Sequence, residues 1–233
     1  MLSANALASF YGRAQILFGV TLDVKCGEVV ALLGRNGAGK STTIKTLMGL
    51  VRPRAGEVSF LDQRIDGRAP YAICRAGLGY VPEERRVFAD LSVEENLEVG
   101  RRPPRAGVPT WTPAKLYELF PNLGRMRDRR GGEMSGGEQQ MLTIARTLMG
   151  NPAAVLLDEP SEGLAPVIVD DMARVIRELK REGLTLLISE QNLRFAASIT
   201  DRAYILEKGQ IRHSAPMSAL MADEAVRAKY LAI

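Results

Sequence analysis

The 233-residue chain contains few of the residues that hold small stapled or metal-bound domains together. It has two cysteines, Cys26 and Cys74, one histidine and one tryptophan. The cysteines form no CxxC pair and no metal-ligand spacing, which indicates a reducing compartment. A chain of this length buries enough surface to fold without such staples. We therefore expect one large domain or two small ones, built around an apolar core.

Long apolar runs and a strong excess of one charge are also lacking. No run approaches the roughly 20 apolar residues of a membrane span, and the N-terminus MLSANALASF has no basic n-region or apolar h-region. Lys and Arg total 31 against 27 Asp and Glu, and this net charge of +4 is too small to indicate a nucleic-acid partner. These absences predict a cytoplasmic protein. The one histidine, His213, is interpreted as a surface residue.

Short apolar runs alternate with helical patterns along most of the chain, which is typical of an α/β fold with a parallel sheet. A helix with one buried stripe is predicted over 41–51, and a longer helix is predicted to begin at Pro166 and to stop at Gly183. Strands are predicted over 29–33, 57–61, 79–81, 154–158, 185–189 and 203–207.

The middle of the chain, from about 85 to 149, shows helix signals and no strand pattern. Ser92 and Glu95 have the spacing of a capping box, and Thr112 opens a helix that stops before Pro121. Ser135 opens a further helix with an apolar face. We interpret this region as a helical insertion within the α/β core.

One segment has the pattern G-x-x-x-x-G-K-S directly after a predicted strand and directly before a predicted helix. Its glycines allow backbone amides to surround phosphate oxygens at a helix N-terminus. Lys40 would neutralise the outer phosphates and the Ser41 hydroxyl would ligate Mg²⁺. The alternative is a glycine turn with a coincidental lysine. The predicted nucleotide-binding residues of this segment are Gly34, Arg35, Asn36, Gly37, Ala38, Gly39, Lys40, Ser41 and Thr42.

Two carboxylates follow the predicted strand 154–158, at the end where open α/β sheets carry their active groups. Successive strand side chains face opposite ways. Asp158 can therefore hold a Mg²⁺-bound water while Glu159 faces the water that attacks the γ-phosphate. The alternative is an N-cap or a turn.

A second glycine-rich helix start carries Ser135, Gly136, Gly137 and Glu138. Several amides in its first turn are free to bind an anion. One nucleotide does not need two cradles, so we expect this helix start to bind the nucleotide held by another copy, head to tail with twofold symmetry. The alternative is a plain N-cap.

Residues 34–41, 134–139 and 155–160 together resemble the Walker A, signature and Walker B motifs of the ABC ATPases, and the resemblance covers essentially the whole chain. It implies a P-loop NTPase (RecA-like) core with an antiparallel β subdomain and an α-helical signature subdomain. The single ATP-binding domain 1–233 would have its core and β subdomain in 1–84 and 150–215. The helical subdomain would be 85–149, and one C-terminal helix would occupy 216–233. The resemblance also implies ATP between two subunits, with Tyr11 stacked on the adenine.

A narrower resemblance lies in residues 79–88, 91–97, 159–168 and 189–192, which are similar to the second ATPase subunit of branched-chain amino-acid importers. This implies ATP hydrolysis with Mg²⁺, at the cytoplasmic face of the membrane. The implied partners are two permeases, a second ATPase subunit and, indirectly, an extracytoplasmic solute-binding protein. An importer of urea or another polar solute stays open, as do a soluble ABC protein acting on ribosomes or DNA, an inactive nucleotide-bound module and a small-molecule kinase.

The chain departs from the general ABC pattern at three positions, and the three variants occur together in the branched-chain group. Glu83 stands where most members have a glutamine that touches Mg²⁺, Ala165 replaces an aspartate, and Gln191 replaces the histidine at the γ-phosphate. The catalytic residues that the resemblance implies are Glu159, Lys40 and Gln191. The implied metal ligands are Ser41, Asp158 and Glu83.

Overall fold

Two sheets form the framework of the protein, whose computed structural model describes residues 1–231. The first sheet is antiparallel and joins strands from the first 64 residues of the chain. The second sheet is mostly parallel and contains the predicted strands at 29–33, 79–81, 154–158, 185–189 and 203–207. In chain order the strands are β1 (Leu2–Tyr11), β2 (Ala14–Val24), β3 (Val29–Leu33), β4 (Ala55–Phe60), β5 (Gln63–Arg64), β6 (Leu78–Val81), β7 (Ala154–Asp158), β8 (Thr185–Glu190), β9 (Arg202–Glu207) and β10 (Gln210–Pro216).

The second sheet has the strand order β10–β9–β3–β8–β7–β6, and only β10 runs antiparallel to its neighbour. Every residue of β3, β7 and β8 is buried, because helices and the first sheet cover both faces. The first sheet has the order β2–β1–β4–β5, and its apolar face joins one hydrophobic cluster with β3 and with the helix that follows β3.

Helices fill the connections between the parallel strands. The caps predicted at Ser92, Thr112 and Ser135 are confirmed, since each side-chain oxygen accepts the backbone amide three residues later. No helix within residues 1–231 has the length and apolar character to cross a bilayer. The helices are α1 (Lys40–Leu47), α2 (Pro70–Ala76), α3 (Val93–Gly100), α4 (Pro113–Leu119), α5 (Pro121–Arg125), α6 (Gly136–Leu148), α7 (Pro166–Arg181), α8 (Leu193–Ile199), α9 (Met217–Ala222) and α10 (Glu224–Leu231).

Two helix predictions were wrong in extent. The helix predicted over 41–51 is α1, which ends four residues earlier because Gly49 adopts a left-handed φ of 75° and the amides of Leu50 and Val51 turn back to the Lys45 carbonyl. The single C-terminal helix predicted over 216–233 is two helices, α9 and α10, because the Asp223 carboxylate accepts the Val226 amide at 2.9 Å and caps a new helix. Residues 232–233 of that prediction lie outside the described residues.

The region between β6 and β7 is helical, as the sequence predicts, and it contains α3 to α6. Apolar side chains from α3, α4 and α6 form one cluster with side chains of α7 and β8. This shared core fixes the start of α6 relative to the strand ends of the second sheet.

Asn96 in α3 organises the chain that leads from β6 into this helical region. The side chain is fully buried, and its Nδ2 donates to the carbonyls of Phe88, Leu91 and Ser92 at 2.9–3.1 Å. Its Oδ1 accepts from the Phe88 amide and the Arg146 guanidinium. The amide group therefore uses both its donor and acceptor capacity inside the protein.

Asn96→Asp replaces a buried donor with an acceptor of the same size, so three carbonyls would face a carboxylate oxygen. We expect the free energy of unfolding to fall by about 2–4 kcal/mol, measured by urea titration. The matched control is Asn122→Asp, because Asn122 is an exposed asparagine of α5 and the same change there is expected to cost under about 0.5 kcal/mol. Equal stability of the two variants would contradict the assigned role of Asn96.

Candidate nucleotide-hydrolysis site

The carboxyl ends of three neighbouring strands meet at one edge of the second sheet. Leu33 at the end of β3 pairs with Glu190 of β8, and Ser189 of β8 pairs with Asp158 at the end of β7. The glycine-rich loop after β3, the turn after β8 and the acidic pair after β7 therefore lie side by side. Ligands of open α/β sheets bind outside such strand ends.

The loop between β3 and α1 has the backbone that its glycines predict. Gly37 and Gly39 have φ values of 79° and 108°, and Gly39 is the N-cap of α1. A β-carbon at Gly34 would overlap the Leu206 carbonyl, so the loop lies directly against β9. Residues 34–42, which the sequence predicts to bind nucleotide, are thus together at the N-terminus of α1, where backbone N–H groups favour phosphate.

Lys40 is buried, with 3% of its surface exposed, and lies at the centre of this edge. Its Nζ donates to the carbonyls of Gly34 and Arg35 at 2.7 and 3.1 Å and forms an ion pair with Glu159 Oε1 at 3.1 Å. The predicted phosphate-binding cation and the predicted general base are therefore in direct contact.

Asp158 and Ser41 offer the oxygen atoms that Mg²⁺ prefers. The Asp158 Oδ1 accepts from the Ser189 hydroxyl at 2.7 Å, and the Ser41 hydroxyl lies close enough to lower the pKa of this carboxyl group. The Asp158 Oδ2 is buried and has no hydrogen-bond partner among residues 1–231. Burial raises the pKa of Asp158, while the two hydroxyl groups oppose that rise. An unpartnered buried carboxylate oxygen beside a hydroxyl fits a partly hydrated Mg²⁺ that also binds substrate phosphates.

Glu159 is held in a strained conformation at the mouth of the site. Its φ is 47°, and its amide donates to the Ser189 carbonyl and hydroxyl at 3.1 and 3.0 Å. Glu159, Glu162 and Gln191 line a cavity of about 320 Å³. A hydrogen bond to Glu159, together with burial, raises the pKa of Glu162 to about 7. Gln191, the third predicted catalytic residue, therefore lines the same cavity as the predicted general base.

Glu190 and Ser189 are two residues of the site that sequence reasoning missed. The Glu190 carboxylate is 2% exposed and accepts the amides of Ser161, Gln191 and Asn192 at 3.1–3.2 Å. It therefore ties the turn after β8 to the loop after β7. The available signal was an acidic residue at the end of the mostly apolar strand β8. Nothing in the sequence indicated which amides it would accept hydrogen bonds from.

Glu83, the third predicted metal ligand, is exposed and lies in the segment that follows β6. Partial burial raises its pKa, and so does repulsion from Glu159 and Asp158. The structure thus brings Glu83 into the electrostatic range of the acidic pair, while its contact with Mg²⁺ stays a prediction.

The start of α6 carries a complete capping box. The Ser135 hydroxyl accepts the Glu138 amide at 3.4 Å, and the Glu138 carboxylate accepts the Ser135 amide at 2.8 Å. Gly136 and Gly137 are then the first-turn residues whose amides have no intrahelical acceptor. Within residues 1–231, no hydrogen bond or ion pair joins 135–138 to the loop 34–42. The second predicted anion site is therefore separate from the first within one chain.

Tyr11 lies at the end of β1, half exposed, at the tip of the hairpin with β2. The second strand of that hairpin packs on the phosphate loop, since a β-carbon at Gly39 would lie 3.0 Å from the Leu17 Cδ2. The hairpin tip is thus carried by a strand that touches the loop, and the adenine contact of Tyr11 stays a prediction.

Comparison with known proteins agrees with this geometry. The model of the family described as "ABC transporter" matches residues 17–162. The chain is 43% identical over 231 residues to the high-affinity branched-chain amino acid transport ATP-binding protein BraG of Pseudomonas aeruginosa, covering 99% of both chains. It is 38% identical over 241 residues to the lipopolysaccharide export system ATP-binding protein LptB of Escherichia coli K12, covering 99% of this chain and 96% of that one.

Solved structures give the same fold. A nucleotide-free ATP-binding cassette from an ABC transporter superposes with a TM-score of 0.82 at 28% identity, covering 97% of this chain and 96% of that one. A dimeric cassette bound to ADP and phosphate superposes with a TM-score of 0.79 at 22% identity, covering 93% and 99%. The predicted P-loop core with its mixed sheets and helices is confirmed, and the chain belongs to the ABC transporter family, as one of its ATP-hydrolysing subunits.

Proposed function

We propose that this chain is the ATPase subunit that powers the import of branched-chain amino acids. The observation that carries the proposal is the 43% identity, over 99% of both chains, to a relative named for that transport. The motifs at 79–88, 91–97, 159–168 and 189–192 support it, because their three variant residues Glu83, Ala165 and Gln191 are those of the branched-chain group.

The proposed assembly contains two ATPase subunits and two permeases at the cytoplasmic face of the membrane. An extracytoplasmic protein would deliver the solute. The separate anion sites at the starts of α1 and α6 support a head-to-tail dimer, in which the start of α6 of one subunit completes the nucleotide site of the other. ATP then favours the closed dimer by its differential affinity for the two arrangements, and hydrolysis reverses that preference.

The contacts of Lys40 suggest how the hydrolytic site is switched on. In this structure its ammonium group neutralises Glu159 and donates to two carbonyls of its own loop. The terminal phosphates of ATP offer Lys40 stronger acceptors. Lys40 would leave Glu159 when it binds them, and the free carboxylate could accept a proton from water. The proposed base is thus neutralised by Lys40 until substrate is present.

The remaining residues would position the reacting groups. Water attacks the γ-phosphorus, the bond to the ADP oxygen breaks, and the proton of the water passes to Glu159. Asp158 and Ser41 would hold Mg²⁺, which supplies positive charge at the phosphate oxygens. Glu190 keeps the turn that carries Gln191 in place, so that its side-chain amide can donate to the γ-phosphate.

An apolar groove between the second sheet and the helical region fits the role of the permease docking site. It has a volume of about 300 Å³ and lies between β6, α3 and α6. Val99 and Phe88 line it with 50% and 48% of their surfaces exposed. Phe88 belongs to the chain segment that leads from Glu83 into α3. A permease helix bound in the groove would therefore contact a segment that begins beside the nucleotide site.

Val99→Asp puts a charge in the groove, and we expect permease co-purification to fall at least about tenfold because an interface core tolerates unpaired charge poorly. ATP affinity of the isolated subunit should stay within about twofold, since the phosphate loop is untouched. The control is Leu50→Asp, at a residue that is also 50% exposed but lies outside the groove. Equal loss in both variants, or none in Val99→Asp, would remove the groove from this role.

The function is tested by assembling the chain with candidate permeases and a candidate solute-binding protein in sealed vesicles. ATP-dependent uptake of labelled leucine, together with phosphate release, is the expected result. Uptake of urea without uptake of leucine would assign the chain to the related polar-solute importers. Export of lipopolysaccharide, which is the function in the name of the 38% identical relative LptB, would contradict the proposal that the chain powers import.

A further inference from the structure

Arg85 connects the segment after β6 to the loop that follows Glu159. Its Nη2 donates to the Glu162 carbonyl at 2.9 Å, across 77 residues of sequence. Charge-assisted bonds from a guanidinium are stronger and more directional than neutral ones. The bond therefore fixes the far end of the loop that begins at the proposed general base.

The same guanidinium also lies against the start of α6. A β-carbon at Gly136 would overlap the Arg85 Nη1, and a β-carbon at Gly163 would lie 3.4 Å from its Nη2. The guanidinium thus occupies the space next to two glycines, one in α6 and one in the loop after β7. A single side chain is thus in contact both with the loop after Glu159 and with the helix start that would meet the nucleotide of the second subunit.

Two further observations indicate that these contacts position the backbone. Arg85 has a φ of 49°, a left-handed value that costs free energy in a residue with a β-carbon and persists only where the surroundings enforce it. Arg85 also takes part in no ion pair within residues 1–231, whereas its neighbour Arg86 pairs with Glu84 at 3.5 Å. The Arg85 side chain is directed at a carbonyl and at glycine backbone.

We propose that Arg85 is a positioning residue for ATP hydrolysis, which holds the start of α6 against the loop 159–163. The inference rests on the proposed function. Glu159 at one end of this loop has its own strained φ of 47°, so its placement depends on how the rest of the loop is fixed. The start of α6 is the surface that would meet the nucleotide of the second subunit. Arg85 thus links the loop that acts on this chain's own nucleotide to the helix start that acts on the nucleotide of the second subunit.

Arg85→Ala in the assembled transporter should lower kcat about tenfold or more, equivalent to about 1.4 kcal/mol of transition-state stabilisation. The KM for ATP should stay within about twofold, because Lys40 and the phosphate loop are unchanged. Arg85→Lys should recover part of the loss. An ammonium group can still donate to the Glu162 carbonyl, but it cannot also fill the space beside Gly136 that the guanidinium Nη1 occupies.

Arg86→Ala is the matched control, because it removes the same charge at the neighbouring position. The Arg86 side chain is 71% exposed. It should keep wild-type kcat. Equal kcat in Arg85→Ala and Arg86→Ala would overturn the inference. So would a parallel loss of kcat, ATP affinity and urea stability in Arg85→Ala with no rescue by lysine, which is the signature of a structural defect. Absence of hydrolysis in the wild-type assembly would instead contradict the proposed function.

A double-mutant cycle tests the contact with α6 separately. Gly136→Ala alone should lower kcat, because its new methyl group displaces the guanidinium. In the Arg85→Ala background that loss should be at least about threefold smaller, since the displaced group is gone. Additive losses in kcat would contradict the proposed bridge from Arg85 to α6.

Discussion

Glu159→Gln is expected to lower ATP turnover by the assembled transporter about 10³-fold while leaving ATP binding intact. A general base typically contributes about 10² to 10⁴ in rate, and glutamine cannot accept the proton of water. The amide oxygen of the substituted side chain would still accept from Lys40, which keeps its two loop carbonyls at 2.7 and 3.1 Å. Nucleotide should therefore bind and accumulate in a stable ATP-bound dimer, measured by phosphate release, nucleotide retention and size-exclusion chromatography.

The matched control for this variant is Glu162→Gln, because Glu162 is a second carboxylate in the same cavity. It forms no ion pair with Lys40 within residues 1–231, so its loss should leave more than about a tenth of the turnover. Hydrolysis by Glu159→Gln at the wild-type rate would remove Glu159 from the role of base. A variant that hydrolyses slowly but stays monomeric with ATP would contradict the proposed closed dimer.

The sequence predicts the elements that carry the site because each has a strong local signal. The apolar runs that become β3, β7 and β8 are continuous, and each is followed at once by residues that we propose to act at the sheet edge. The helix starts at Ser92 and Ser135 were predictable for the same reason, since a capping box is complete within four residues.

The contacts that complete the site have partners far away in sequence, and no local pattern announces them. Glu190 binds the Ser161 amide across 29 residues, and Arg85 binds the Glu162 carbonyl across 77. The split of the C-terminal segment at Asp223 had a local signal, an aspartate three residues before Val226, but an aspartate within a helical pattern also fits a solvated face. The subdomain boundaries at 84, 150 and 215 stay predictions.

The Lys40–Glu159 ion pair leads to the second large expected effect. Lys40→Met leaves a carboxylate that is 8% exposed without its cation, beside two carbonyl oxygens that also lose their donor. Breaking a buried ion pair by removing one partner costs about 3–5 kcal/mol in stability, and the substrate phosphates lose their cation as well. We expect nucleotide-free Lys40→Met to unfold at lower urea, and its ATP affinity to fall at least about 100-fold, measured by isothermal titration.

The double variant Lys40→Met with Glu159→Gln separates these two effects. It removes the unpaired charge, so the stability of the nucleotide-free protein should recover by more than half, while ATP affinity stays as low as in Lys40→Met. Glu159→Gln alone should cost less stability than Lys40→Met, because Lys40 keeps three oxygen acceptors whereas Glu159 would keep no cation. If the double variant is as unstable as Lys40→Met, the ion pair is not the source of the loss. The proposal that substrate releases Glu159 from Lys40 would then lose its physical basis.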